Sequence, residues 1–209
     1  GLPTSGNDAL TNPLAAMNTM DGWSTSMPII MNFEGAGLAD GTAAAGVYLL
    51  KLSGSLTSAT APTVTQVLTQ GTDFNVLSSA ASDTFTIVFN DSLDASSEYV
   101  LALSNELTDV NGDPVGMSAS YAALKSMTTT YTEGSLAQAQ QVTRGVEQIF
   151  AGANAAGAIT LDTQDIIYST WFTTQSVGDT LFATKGATAM GLSGTGLNDI
   201  WKGSAKADD

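Results

Sequence analysis

Thr84-Phe85-Thr86-Ile87-Val88-Phe89 and, after a polar stretch from Asn90 to Glu98, Tyr99-Val100-Leu101-Ala102-Leu103 decide how this chain folds. In extended backbone alternate side chains share a face, so Phe85, Ile87 and Phe89 line one side of the first segment and Tyr99, Leu101 and Leu103 one side of the second. Asn, Asp and Ser fill the connection, with no helical period in it. Upstream, the pattern repeats in Val47 to Leu52, Thr63 to Leu68 and Phe74 to Leu77, each bounded by turn-forming residues. Further back, Ile29, Met31 and Phe33 alternate with Ile30, Asn32 and Glu34, the mark of a half-buried strand, and Gly35 to Gly46 turns the chain. Short strands in succession, joined by turns and not by helices, predict a mainly β fold built as an antiparallel sandwich.

The period changes near Ser135. Ser135-Leu136-Ala137-Gln138 has the form of a capping box, and apolar residues recur at Leu136, Ala139, Val142, Val146, Ile149 and Phe150. This predicts an amphipathic helix over 135–151, ended by Gly152. Gly145 in its middle costs about 1 kcal/mol relative to Ala, which close packing would explain. Ile166 to Thr174 returns to strand character. Ser176-Val177-Gly178-Asp179 predicts the cap of a short C-terminal helix over 175–185, and the Gly-, Ala- and Ser-rich residues 186–209 read as a linker.

Composition excludes much chemistry. There is no His and no Cys in the 209 residues. Ser-His-Asp and Cys-His triads lack their imidazole, zinc would have to be held by carboxylates alone, and disulfides are excluded. The length suffices to bury roughly 70% of the unfolded surface as one domain. Six basic residues against twenty acidic ones give a net charge of −14, which repels phosphate backbones and anionic headgroups, so nucleic acid is not a partner. Apolar runs are too short for a transmembrane segment. Gly1-Leu2-Pro3, without Met, reads as a processed or trimmed start, and low charge with abundant Ser and Thr fits an exported bacterial surface protein.

The remaining candidates are few. In Asp109-Val110-Asn111-Gly112-Asp113, Asp109, Asn111 and Asp113 alternate as calcium ligands would, but Pro114 and Ser120 stand where an EF-hand wants Gly and Glu. Asn111-Gly112 is the preferred pair of a type I′ hairpin turn, so a plain turn is the favoured reading and no metal or cofactor is assigned. Paired acids for glycoside hydrolysis need a separation that sequence does not give. Asp83-Thr84, Asp162-Thr163 and Asp179-Thr180 lack the Gly of an aspartic protease triplet. No catalytic residue is assigned. Trp171 lies in a strand and reads as core or interdomain packing, whereas Trp201, alone in the tail, and Trp23 are the candidates for contact with another domain.

Asp21-Gly22-Trp23-Ser24-Thr25, Met27-Pro28-Ile29 and Phe172-Thr173-Thr174-Gln175-Ser176 resemble the N-terminal region of bacterial virulence-factor lipases, large exported enzymes that include surface lipoprotein lysophospholipases of Gram-negative bacteria. The resemblance runs over most of residues 7–185. Within it, Ser92 to Tyr99 and Leu107 to Val115 are similar to bacterial Ig-like modules, in which Phe-Thr-Thr closes the last strand. The resemblance implies an Ig-like sandwich over 28–174, with the helix carried in an insertion at 128–163 before the final strand, after an irregular lead-in over 1–27. Lipases of this kind carry an α/β-hydrolase domain with a Gly-x-Ser-x-Gly elbow and a later His. Gly191-Leu192-Ser193-Gly194-Thr195 ends in Thr where the closing Gly belongs. The implied role is therefore a non-catalytic accessory part of an exported, secreted or surface-held lipase, with the chain's own hydrolase domain as partner and lipid as a further one. The alternatives are a stand-alone adhesin module that binds glycan or protein, and a calcium-stabilised spacer.

Overall fold

The strands foreseen from the sequence pair into two antiparallel sheets. In the computed structural model, which describes residues 21–39, 45–78 and 84–176, they are β1 (Ile29–Asn32), β2 (Val47–Leu52), β3 (Val64–Leu68), β4 (Phe74–Ser78), β5 (Thr84–Phe89), β6 (Glu98–Ser104) and β7 (Ile166–Thr173). One sheet has the order β1-β5-β4 and the other β3-β2-β6-β7. In Ig lettering these orders correspond to B-E-D and C′-C-F-G. Two helices, α1 (Ala119–Lys125) and α2 (Gly134–Ala155), stand between β6 and β7 in the sequence: α2 is the helix expected before the last strand, and α1 lies upstream of the expected insertion at 128–163.

β6 explains the layering. Tyr99 through Ser104 are all buried, so the strand is not half-exposed as a sandwich strand usually is. Tyr99, Leu101 and Leu103 point into the gap between the sheets, where they meet Leu49 of β2, Phe74 of β4 and Phe85 and Ile87 of β5. Val100 and Ala102 face the other way, joining Leu50, Leu52 and Ile166 of their own sheet to Val146, Phe150 and Ala153 of α2. The Tyr99-Leu101-Leu103 face was legible in the sequence. The second apolar face shows that something must cover the sheet from outside, and α2 does so.

The ends of α2 differ from expectation. The helix is entered through Gly134 at φ +72°, and no side chain caps it, so the Ser135 capping box does not form. Leu136 is 53% exposed and falls off the buried face. Gly152 does not stop the helix, since it lacks the positive φ that a terminating glycine adopts. Gly157 has it, at +72°. There the Gly157 N–H donates to Asn154 O and the Ala158 N–H to Ala153 O, both at 2.9 Å, a Schellman ending. The short helix α1 was not foreseen because Tyr121 is the only buried residue in it, too little to set a period; the Ser118 hydroxyl caps it by accepting the Tyr121 N–H at 3.1 Å. Of the predicted C-terminal helix, Gln175 and Ser176 are irregular and the rest lies outside the described residues, as do residues 186–209.

A polar cluster pins the helical layer to the sheet. The Tyr121 hydroxyl lies 3.0 Å from Glu147 Oε1 and 2.6 Å from the Ser169 hydroxyl of β7, and Lys125 Nζ lies 3.7 Å from the same carboxylate while donating to Ile166 O at 2.8 Å. Burial pushes the Glu147 carboxyl above its ordinary value, only partly offset by Lys125 and the Tyr121 hydroxyl. A raised carboxyl pKa favours the folded state below the unfolded value and loses that contribution as pH rises through the folded value. Glu147→Gln cannot ionise, so its melting temperature should gain on that of the parent chain as the pH is raised from about 4 to about 8. A gap between the two melting curves that stays constant with pH would contradict this.

Gly145 gives a second prediction. A Cβ built there meets only Leu56 Cδ2, at 3.9 Å, an ordinary contact, so close packing does not require the glycine. Gly145→Ala should raise stability by about 0.5–1 kcal/mol, or roughly 1–4 °C in melting temperature, measured by calorimetry.

Candidate functional site: the seam between the two ends of the domain

The stretches Asp21 to Thr25 and Phe172 to Ser176, some 150 residues apart in sequence, meet at one end of the sandwich. Trp23 and Thr174 form a parallel bridge: the Trp23 N–H donates to Thr173 O at 2.7 Å and the Gln175 N–H to Trp23 O at 2.9 Å. The Asp21 carboxylate accepts from the Ser176 N–H at 3.0 Å and from the Ser176 hydroxyl. Those two hydrogen bonds, the hydroxyl first, hold the Asp21 carboxyl below the usual carboxylate range. Gly22 allows the approach, because a Cβ there would lie 2.6 Å from Thr173 O and 2.7 Å from the Thr174 carbonyl carbon.

The connection between β5 and β6 completes the seam. Thr174 is 1% exposed, and its hydroxyl donates to Asp94 O at 2.6 Å while accepting the Ser97 N–H at 2.9 Å. Its own N–H donates to Ser97 O, the Ser96 N–H reaches Gln175 O, and the Leu93 N–H reaches Thr25 O. Ser96 sits at φ +50°, the one non-glycine residue among those described with positive φ. The Tyr99 hydroxyl, at the start of β6, accepts the Asp94 N–H at 3.1 Å. A tyrosine at the start of strand F, bonded back to the backbone just upstream, is the corner of Ig sandwiches. Tyr99 stacks on Phe172 with centroids 5.6 Å apart, and Phe172 meets Trp23 edge to face at 6.5 Å.

Of the candidate contact residues, Trp23 is thus built into the seam, yet 44% of it remains exposed. Trp201 lies outside the described residues. Trp171 is half-buried against the helical layer, its indole N–H donating to Glu98 Oε2 at 2.6 Å.

The Asp109 loop is a turn whose acid is turned inward. Asp109 Oδ1 accepts the N–H groups of Asn111 at 2.7 Å and Asp113 at 3.0 Å, and Oδ2 accepts the Asn111 side-chain amide at 3.1 Å. Burial pushes this carboxyl up, but the hydrogen bonds from Asp113, Asn111 and Gly112 outweigh it and hold the pKa below the ordinary value. Only Gly112 has positive φ, at +83°, so the turn is not type I′ as the Asn-Gly pair suggested. With the Gly112 N–H on Asp109 O and the Asp109 N–H on Asp113 O, it is a type I turn closed by a left-handed glycine, a form that the Asp109 side chain stabilises. Among the described residues no group of three His, Cys, Asp or Glu is placed to hold a metal ion, and no helix is long and apolar enough to cross a membrane.

The seam fastens one end of the described domain to the other. Both stretches that join in it lie within residues 3–201, which match the family described as bacterial virulence factor lipase N-terminal. The chain belongs to this family. As a lipase N-terminal region it is also 32% identical, over 201 residues, to a protein of Aeromonas hydrophila named extracellular lipase. That alignment takes in 88% of this chain and 27% of the relative, so the chain spans about a quarter of that protein. No solved structure matches the chain significantly. Two of the stretches that carry the family resemblance, Asp21 to Thr25 and Phe172 to Ser176, thus meet in the seam. Thr174, Ser97 and Tyr99, which join it, lie within the quoted stretches but were not read as links, because each is an ordinary strand or turn residue until the two ends are seen together.

Gly22→Ala places a methyl group against fixed backbone and should destabilise the lipase N-terminal domain by about 1–3 kcal/mol, seen as a lower melting temperature. An unchanged melting temperature would show that the seam is looser than its distances imply.

Proposed function

We infer that this chain is the non-catalytic N-terminal accessory domain of an exported bacterial lipase or lysophospholipase, and that it positions or shields an α/β-hydrolase domain elsewhere in the same polypeptide. The observation that carries this reading is the family match over residues 3–201 of a chain that has no His at all. Acyl transfer by a serine triad needs an imidazole to take the serine proton and return it to the leaving group. An accessory role supplies none, and needs a stable fold with its ends fixed relative to each other, which the seam supports. The modest coverage of the Aeromonas relative, 27% of its length, leaves ample room for a hydrolase domain in a protein of that size. The name of that relative, extracellular lipase, supports export, to the cell surface or the medium.

The test compares the isolated chain with the whole natural polypeptide on a short-chain ester and on a lysophospholipid. The isolated chain should hydrolyse neither above the buffer rate, and the whole polypeptide should hydrolyse at least one. Saturable hydrolysis by the isolated chain, or a natural polypeptide that contains no hydrolase domain, would refute the proposal. In the latter case a stand-alone binding module would take its place.

A further inference from the structure

The two sheets are treated unequally on their outer sides. The four-stranded sheet is covered by α1 and α2, whereas the outer side of β1-β5-β4 has no cover among the described residues. Its middle row runs Ile30–Thr86–Leu77 in direct register, and Ile30 and Leu77 are each 59% exposed. The flanking rows are Asn32–Thr84 and Val88–Asn75. None of these side chains is ionisable, on a protein of net charge −14. An antiparallel sheet face left to water is usually polar and charged, and depletion of charge with exposed aliphatics marks the core of interfaces. The outer edge strands β1 and β4 likewise carry no charge, proline or bulge of the kind that protects free edges.

We propose that the outer face of β1-β5-β4, centred on Ile30, Thr86 and Leu77, is the surface on which the hydrolase domain of the same polypeptide docks. This rests on the accessory-domain reading. Two observations select that occupant. Nearly three quarters of the Aeromonas relative lies outside the stretch aligned with this chain, so a protein of that size has a large body to seat. The seam also brings Ser176 back beside Asp21, a few residues before β1, and the exposed apolar side chains of Met27, at 62%, and of Ile30 follow in the sequence. The described chain thus ends at Ser176 beside the segment that leads into β1.

The absence of Cys permits a direct test. Ile30→Cys and Leu77→Cys are made singly, with Gln141→Cys on the exposed side of α2 as control, in both the isolated chain and the whole natural polypeptide. Maleimide labelling at each position is followed by peptide mass spectrometry. If docking is favoured by a factor of about ten, labelling at positions 30 and 77 slows about tenfold in the whole polypeptide while position 141 is unchanged. Equal rates at 30 and 77 in the two forms overturn the assignment while leaving the accessory reading intact, and so does equal protection at all three positions. Protection in the isolated chain that grows with its concentration overturns it in favour of a second copy. Absence of a hydrolase domain from the natural polypeptide refutes the accessory reading itself.

Discussion

The burial of β6 on both faces is the constraint from which the rest of the architecture follows. A strand that carries Tyr99, Leu101 and Leu103 on one side and Val100 and Ala102 on the other has no side to give to water. The three-stranded sheet closes over the first set and α2 over the second. Fully burying a side chain the size of leucine is worth about 1.5–3 kcal/mol, so neither cover can be removed without exposing several such contributions at once. The helical insertion is therefore a third layer of the core and not an appendage of a finished sandwich.

That arrangement explains where polar groups are tolerated. Tyr121, Glu147, Lys125 and Ser169 lie at the junction of α1, α2 and β7, where the helical layer must be oriented on the sheet, and they satisfy one another. Directional bonds at that boundary fix the rotation of the helices, which apolar contacts alone leave loose. At the opposite boundary the sheets meet through apolar contacts, and orientation is set instead by the corner at Tyr99 and by the seam.

The strands were the most legible part of the sequence, and for a physical reason. β2 and β5 have the predicted bounds because β-branched and aromatic runs end there at turn residues. Pattern failed where the decisive contact is remote. Gly152 and Gly157 both look like helix stops, and only the backbone conformation at 157 chooses between them. Ser135 has the form of a cap that the entry through Gly134 leaves unused. α1 rests on one buried tyrosine. The seam was half legible: both of its segments were conspicuous as motifs, but nothing in either says that it touches the other. The uncovered sheet face was readable as alternation in β1, yet only the register that places Ile30 and Leu77 on either side of Thr86 makes it a patch.

The seam also has a mechanical meaning. Its two bridged segments run parallel, and the described chain enters it at Asp21 and leaves it at Ser176. Tension applied to the two ends in opposite directions slides Trp23 along Thr174 instead of peeling it away. The Trp23–Thr173, Gln175–Trp23 and Asp21–Ser176 hydrogen bonds are then strained together and must break together. Resistance to force is governed by the rate of unfolding and not by equilibrium stability, and a clamp loaded in shear slows that rate along the pulling direction.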